Sequence, residues 1–166
     1  MPHVENRVVR LVEQQLITHR GCNGSLPTAA GDFNPITANP DLSLDAASLT
    51  ETGASSGHLP YETINSVCAP TPFPNWFAAN RWHRLFFYAV NTNSITVKGL
   101  INNPYDAVII LAGAPLADDT RPDTNPINYF EGENIKTPPD TPPDNLYQYR
   151  NPSRTDETYN DITQAL

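Results

Sequence analysis

Two strand-like segments in the middle of the chain are apolar on both of their faces, and this pattern constrains the fold most. Residues 84–90 read RLFFYAV and residues 107–112 read AVIILA. Apart from Arg84, every position in both segments is aromatic or aliphatic, so both sides of each strand are apolar. A strand with such side chains on both sides belongs to a sheet that is covered twice. We therefore expect one layer of protein over each face.

A shorter strand is predicted between these two. Residues 91–94 (NTNS) read as a turn, residues 95–98 alternate as a strand that ends at Gly99, and Asn102-Asn103-Pro104 reads as the next turn. The three strands 84–90, 95–98 and 107–112 predict an antiparallel β-meander over residues 84–112.

Residues 4–20 predict the layer that covers one face, because no other window keeps a helical period for so long. The apolar positions of this amphipathic helix are Val4, Val8, Leu11, Val12 and Leu16. Arg20 in the last turn and Gly21 after it predict the C-terminal end. The start has no Ser, Thr, Asp or Asn cap, which leaves two alternatives: a complete helix that begins with Pro2, or the exposed half of a longer helix.

The helix is expected to pack on one specific face of the sheet and to leave a polar outer side, so that residues 1–166 stay monomeric on their own. The expected partners of Leu11, Val12 and Leu16 are Leu85, Phe87, Ile95, Val97, Val108 and Ile110. The second face is left to the long connection or to the tail.

The connection between helix and sheet, residues 21–82, is broken by Gly and Pro and predicts little regular structure apart from a short helical turn near residues 41–49. Cys22 and Cys68 lie near its two ends and are the only cysteines. A Cys22–Cys68 disulfide is predicted, and closing this loop stabilises a fold by about 4 kcal/mol. The alternative is two buried reduced thiols.

Residues 113–166 contain many prolines and predict a C-terminal loop region with a short edge strand at 146–149. No convincing linker divides the chain, so residues 1–166 are predicted to form a single domain. The net charge of −8 argues against a nucleic-acid partner. No run approaches the ~18 apolar residues of a membrane span. The many neutral polar residues and prolines are typical of exported proteins.

One motif suggests catalysis, but its surroundings argue against it. Residues 53–57 (GASSG) match the G-x-S-x-G pattern of a nucleophile elbow, with Ser55 as the nucleophile. An elbow needs a buried strand before it and a helix after it, whereas polar residues precede this match and Pro60 follows it. We therefore predict no catalytic residue and no enzyme activity.

Other residues that can bind ligands or metals are scattered. The histidines have no metal-ligand spacing, and the loop aspartates offer oxygen atoms of the type Ca²⁺ uses without the spacing of an EF-hand. A solvated acidic loop is the preferred interpretation, so no metal and no cofactor are predicted. Trp76, Phe77 and Trp82 are interpreted as core residues rather than as a stacking platform. The histidines and loop acids considered are His3, His19, His58, His83, Asp118, Asp119, Asp123, Glu131 and Glu133.

The order of helix, connection and meander, together with several short motifs, resembles the soluble domain of type IV pilin-like proteins, including the pseudopilins of type II secretion. Together with the helix and the meander, these motifs cover about half of the chain. The motifs are LPYET at 59–63, NRW at 80–82, FYAV at 87–90, AVIILAGAPL at 107–116, T-R-P at 120–122, NYFEGEN at 128–134 and YND at 159–161.

The resemblance implies an α+β pilin-like fold in which the long N-terminal amphipathic helix packs on the antiparallel β-meander, with long irregular loops. It implies a structural subunit, a pilin or a minor pilin or pseudopilin, that assembles with other pilin-like subunits through the N-terminal helix. In this family a hydrophobic segment ahead of the helix anchors the subunit in the inner membrane, with the domain in the periplasm before filament assembly. Two alternatives stay open: a stand-alone periplasmic binding or adhesin domain, and a small secreted serine hydrolase that uses Ser55.

Overall fold

The computed structural model describes residues 2–31, 33, 49–66, 72–113, 146–148 and 162–166. An N-terminal helix lies beside a sheet whose main path is antiparallel. The predicted mixed α+β class is therefore confirmed at this level.

Helix α1 spans Pro2–Asn23 and is longer than predicted at both ends. The predicted end at Gly21 is wrong, since the helix runs through this residue. Gly24 ends it instead, in a left-handed conformation with φ of +80°, and its N–H donates to the Arg20 carbonyl over 2.8 Å. A glycine inside a helix costs only about 1 kcal/mol relative to alanine, so a second glycine three residues later provides the stop.

The connection after α1 holds more regular structure than its Gly and Pro content predicts. Strand β1 is Ser56–His58, helix α2 is Tyr61–Ser66, helix α3 is Asn75–Ala79, and a 3₁₀ turn covers Trp82–Leu85. Each of these elements is short enough to fit between the breaking residues. The helical turn predicted near residues 41–49 lies outside the described residues except for Leu49, which is buried.

The sheet consists of β1 with four further strands, two of them long. Strand β2 is Phe86–Lys98, β3 is Tyr105–Leu111, β4 is Leu146–Gln148 and β5 is Ile162–Ala165. The order β1-β2-β3-β5 is antiparallel throughout. Strand β4 adds to the C-terminal end of β2 in a parallel orientation, and it confirms the predicted short edge strand.

The predicted turn at residues 91–94 is wrong, because these residues continue β2. The pairing shifts between Val90, which faces Ala107, and Ile95, which faces Tyr105. Five steps along β2 therefore correspond to two steps along β3. A bulge of this kind absorbs extra residues without reversing the chain, so the predicted three-stranded meander is a pair of strands.

The tail also contains a strand that sequence reasoning placed in a loop region. Strand β5 pairs with β3 over its whole length, from Val108 beside Ala165 to Leu111 beside Ile162. Only four residues form β5, and two of them, Thr163 and Gln164, are polar. The segment is therefore too short and too polar to be recognised as a strand from its sequence. The predicted loop region 113–166 is corrected accordingly.

Alternating residues of β2 and β3 form two apolar faces, and both are covered as expected. The helix face, Phe86, Tyr88, Ala107, Ile109 and Leu111, packs with residues of α1 in one core. The loop face, Phe87, Ala89, Ile95, Val97, Val108 and Ile110, packs with Phe33 and Tyr147 in a second core.

The predicted partner face of the helix is therefore wrong. Val12 and Leu16 share a core with the helix face rather than with the loop face that contains Phe87 and Ile110. The two-residue period of a strand assigns these side chains correctly to two faces. Because both faces are apolar, the pattern does not indicate which of them packs against α1.

Candidate assembly surface

The inner side of α1 is fixed to the sheet along its length. Val8, Val12 and Leu16 are fully buried. Two polar contacts reinforce this packing: Nε2 of Gln164 in β5 donates to the Glu13 carboxylate over 2.9 Å, and Arg20 pairs with Asp106 at the same distance. The helix is thus held by apolar side chains in its middle and by polar contacts around them.

A polar cluster holds the C-terminal end of the helix. His19 is buried, and the side-chain nitrogen of Asn23 lies 3.0 Å from its Nε2 atom. Burial lowers the pKa of His19 below its ordinary value of 6.5, and the Glu51 carboxylate opposes the shift. The hydroxyl of Tyr88 donates to the Pro27 carbonyl over 2.8 Å. Burial raises the pKa of Tyr88 well above its ordinary value, with a smaller contribution from Glu51, so the hydroxyl stays protonated.

The outer side of α1 combines cationic and apolar residues. Arg7 and Arg10 are exposed and form no hydrogen bond or ion pair within the part of the chain that the structure describes. Ile17 on the same side is 42% exposed, and Val4, one turn before the buried Val8, is 55% exposed. This side is therefore less polar than the sequence predicts.

A groove of about 490 Å³ runs between the N-terminal half of α1 and the segment that leads into α3. Val4, Arg7 and Leu11 line one side, and Pro74 and Trp76 line the other. The Trp76 side chain is 45% exposed. The groove thus offers aliphatic and aromatic surface with a single guanidinium group.

Of the three aromatic residues near α3, two are core residues as predicted and one is not. Phe77 is fully buried and stacks on Phe73 with ring centroids 4.5 Å apart. Trp82 is partly buried against the same core. Trp76 lies in the groove instead, since Phe77 takes the core-facing position and neighbouring helical residues point in different directions.

A second apolar feature lies at the connection between β2 and β3. Ile101 is 94% exposed. The loop around it is held by the Asn103 side chain, whose Oδ1 accepts the Val97 N–H over 2.6 Å and whose Nδ2 donates to the Leu100 carbonyl over 2.8 Å. Ile101 is therefore a large apolar side chain presented by an ordered loop.

The surroundings of Ser55 differ from those of a nucleophile elbow. Ser55 is exposed and leads into strand β1 rather than into a helix, and its carbonyl accepts the Val90 N–H over 2.8 Å. Its nearest histidine along the chain, His58, is buried with its ring centroid 4.9 Å from that of Phe33. The lack of enzyme activity stays a prediction.

The other predicted residues are described only in part. Cys22 is exposed and disulfide-bonded, whereas Cys68 lies outside the described residues, so the Cys22–Cys68 pairing stays a prediction. The acidic loop at residues 118–133 also lies outside them. Within the described part of the chain, no three His, Cys, Asp or Glu side chains form a group that could hold a metal ion.

Sequence reasoning missed both the groove and the exposed Ile101. The sequence contains no local signal for the groove, because its two sides, residues 4–11 and 74–76, are far apart in the chain. The signal for Ile101 was an isolated aliphatic residue beside Asn-Asn-Pro, because such turns lie at the surface.

Within the described residues, no helix has the length and apolar character that crossing a membrane requires. No family model matches the chain, and no curated protein or solved structure shows significant similarity to it.

Proposed function

We propose that the chain is a structural subunit, a pilin or a minor pilin or pseudopilin, of a type IV pilus-like filament, with a pilin-like fold. The observation that carries this proposal is the division of α1 into two sides. Val8, Val12 and Leu16 are fully buried in the core, while Ile17 on the outer side remains 42% exposed. A helix that anchors its own domain and still offers apolar surface suits assembly through that helix.

The position of the resembling motifs supports the same function. Residues 107–111 of the run AVIILAGAPL lie in β3, which pairs with β2 on one side and with β5 on the other. The segment FYAV at 87–90 lies in β2 directly beside it. Two of the segments that carry the resemblance, 87–90 and 107–111, therefore lie in the central strands of the sheet on which α1 packs.

Location in the cell tests this function. In the source bacterium, an antibody against this domain should label filaments sheared from the surface or purified from the periplasm, and the gene deletion should remove the label. The matched control is expression of the Ser55→Ala variant in the deletion strain. Because Ser55 is exposed and lies outside the helix and the core, this variant should restore labelling to the wild-type level. Recovery of the protein only as a free monomer would contradict the proposal.

A hydrolase would behave differently in a second measurement. A serine-directed phosphonate should not label the protein, because Ser55 precedes a strand and lacks the strained strand-to-helix turn of an elbow. Labelling that disappears in Ser55→Ala would instead establish the hydrolase alternative.

The groove favours one further candidate function, a periplasmic binding or adhesin domain. Its volume of about 490 Å³ is within the range of small-molecule sites, and Arg7 with Trp76 suits an anionic ligand that has an apolar part. Binding of such a ligand that is lost in Trp76→Ala, together with the absence of the protein from filaments, would favour this function over the first.

A further inference from the structure

We propose that Asn23 is a modification site, at which the backbone nitrogen of Gly24 attacks the side-chain amide and water then converts it into a carboxylate. The last turn of α1 and the buried His19 slow this reaction in the folded chain. The proposal goes beyond the proposed function and does not depend on filament assembly.

The sequence singles out Asn23 for this chemistry. It is the only one of the 17 asparagines that glycine follows. The reaction requires the backbone nitrogen of the next residue to reach the Cγ atom of the asparagine, and glycine hinders this approach least because it has no Cβ atom. Five other asparagines precede proline, whose nitrogen carries no hydrogen and cannot react in this way.

The position of Asn23 in the fold gives the reaction access to water. Asn23 is the last residue of α1 and is exposed. Gly24 has a left-handed conformation with φ of +80°, and a Cβ atom added to it would meet nothing within 4 Å. Helix ends fray and open at a lower free energy than the core of a domain. The site therefore combines solvent access with the local opening that the attack requires.

The chemistry consumes one water molecule and needs no other reagent. The Gly24 nitrogen forms a bond to Cγ of Asn23 and loses its proton, the Cγ–Nδ2 bond breaks, and the nitrogen leaves as ammonia with that proton. The product is a five-membered cyclic imide. Water then opens one of its two carbon–nitrogen bonds. Opening at Cγ gives aspartate, and opening at the main-chain carbonyl carbon gives isoaspartate, in which the backbone runs through the side chain.

Two contacts of the folded chain oppose the attack. The Gly24 N–H donates to the Arg20 carbonyl over 2.8 Å. The side-chain nitrogen of Asn23 lies 3.0 Å from Nε2 of His19, and since an amide nitrogen can only donate, the imidazole accepts. His19 is buried, so its ring holds the Asn23 side chain in place. Both contacts have to break before Cγ and the Gly24 nitrogen can meet.

The product should weaken the same end of the helix. A carboxylate has no hydrogen to donate to the neutral ring of His19, and it places a negative charge at the negative end of the helix macrodipole. The Glu51 carboxylate already acts on His19 from the connection, so the new charge has the same sign as its surroundings. In neutral solution we expect Asn23→Asp to lower the unfolding temperature by about 2–4 °C.

The test incubates the folded full chain in heavy-oxygen water at mildly alkaline pH and locates the incorporated oxygen by peptide mass spectrometry. We expect the label at residue 23, as a mixture of aspartate and isoaspartate. The same chain unfolded in urea should react at least about tenfold faster, because the contacts of the last turn are absent. His19→Phe keeps an aromatic ring without a nitrogen acceptor and should raise the rate in the folded chain by up to about tenfold.

Two control variants separate local opening from other effects. Arg10→Gln changes an exposed residue of the same helix far from its end and should leave the rate unchanged. Ile110→Ala weakens the core on the other face of the sheet. It should also leave the rate close to the wild-type value, because the last turn of a helix opens without unfolding of the whole domain.

Three results would each overturn the proposal: no label at residue 23 over many half-times of the unfolded chain, label mainly at another asparagine, or a rate that His19→Phe does not change. An equal rise in Ile110→Ala and His19→Phe would also overturn it, since the reaction would then follow global unfolding. An unchanged unfolding temperature in Asn23→Asp would contradict the assigned effect on the helix end. None of these measurements involves filaments, so their failure is distinct from failure of the proposed function.

Discussion

The two faces of the sheet are equally apolar but are covered in different ways. Helix α1, with Val8, Val12 and Leu16 at 0% exposure, covers the helix face together with residues of α2 and α3, such as Phe77, which stacks on Phe86. The loop face is covered by residues from distant segments, among them Phe33 from the connection and Tyr147 from β4. Even so, Ile109 on one face and Ile110 on the other are both fully buried.

This comparison shows that burial does not depend on the regularity of the covering layer. The driving force is the apolar area removed from water, which is non-directional and is satisfied by a helix or by separate side chains. The layers differ in regularity: helices, with α1 as the longest, supply most of the cover on the helix face. Single side chains from distant segments, Phe33 and Tyr147 among them, cover the loop face.

The largest expected effects come from truncation of neighbouring residues that point to opposite faces. Ile109→Ala and Ile110→Ala should each lower the free energy of unfolding by about 2–5 kcal/mol, since both leave a cavity in a packed core. Urea unfolding followed by circular dichroism measures both variants. If Ile109→Ala lowers the free energy of unfolding by about 2–5 kcal/mol and Ile110→Ala by less than about 1 kcal/mol, the loop face is only loosely covered.

Truncation on the helix tests the covering layer itself. Leu16→Ala should cost about 2–5 kcal/mol because Leu16 is fully buried against the helix face. Its neighbour Ile17, 42% exposed, is the matched control and should change stability by about 0.5 kcal/mol or less. Equal effects in the same denaturation assay would contradict the packing of α1 described above.

A smaller loss is expected when the helix face loses its buried hydroxyl. Tyr88→Phe removes the hydrogen bond to the Pro27 carbonyl, leaves that buried acceptor unsatisfied and should cost about 1–3 kcal/mol. Tyr105→Phe is the control, since Tyr105 is half-buried against the loop face and has no hydrogen bond through its hydroxyl among the described residues. Thermal unfolding should show little change in this control.

Acid should lower the stability of the protein through His19 at the C-terminal end of α1. Because burial lowers the pKa of His19 in the folded protein below 6.5, the unfolded state binds the proton more readily. The His19 contribution is therefore complete above pH ~6.5 and is lost as the pH falls from there toward the folded-state pKa. Stability measured between pH 5 and pH 7 (about this window) should have a smaller slope in His19→Asn. An unchanged slope would contradict the assignment.

The smallest effect is expected at the exposed ion pair between α1 and β3. The side chains of Arg20 and Asp106 are 43% and 44% exposed, so Arg20→Gln should cost less than about 1 kcal/mol. High salt should reduce this difference further. Arg10 has no partner within the described residues, so Arg10→Gln should leave the free energy of unfolding unchanged. A large decrease in either variant would contradict the assignment of the core as the main source of stability.

Local patterns in the sequence predicted several elements correctly. The helical period of α1, the two-faced apolar runs of β2 and β3 and the short strand β4 are visible because each pattern repeats over consecutive residues. The doubly covered sheet follows from the same runs, since apolar residues on both faces need two layers.

Other features depended on information that no local pattern contains. The polar segment 91–94 reads as a turn, but it continues β2 as a bulge between Val90 and Ile95, which both pair with β3. Strand β5 is too short and too polar to identify alone and forms because the edge of β3 provides backbone partners.

The amino-acid sequence by itself determined which residues are apolar, in what period, and therefore that a helix and a two-faced sheet would form. Only the tertiary structure decided which face the helix covers, where Trp76 lies and that Ile101 stays exposed. The physical reason is that hydrophobic burial fixes how much surface is covered, whereas the choice between two equally apolar faces depends on contacts between residues far apart in the chain.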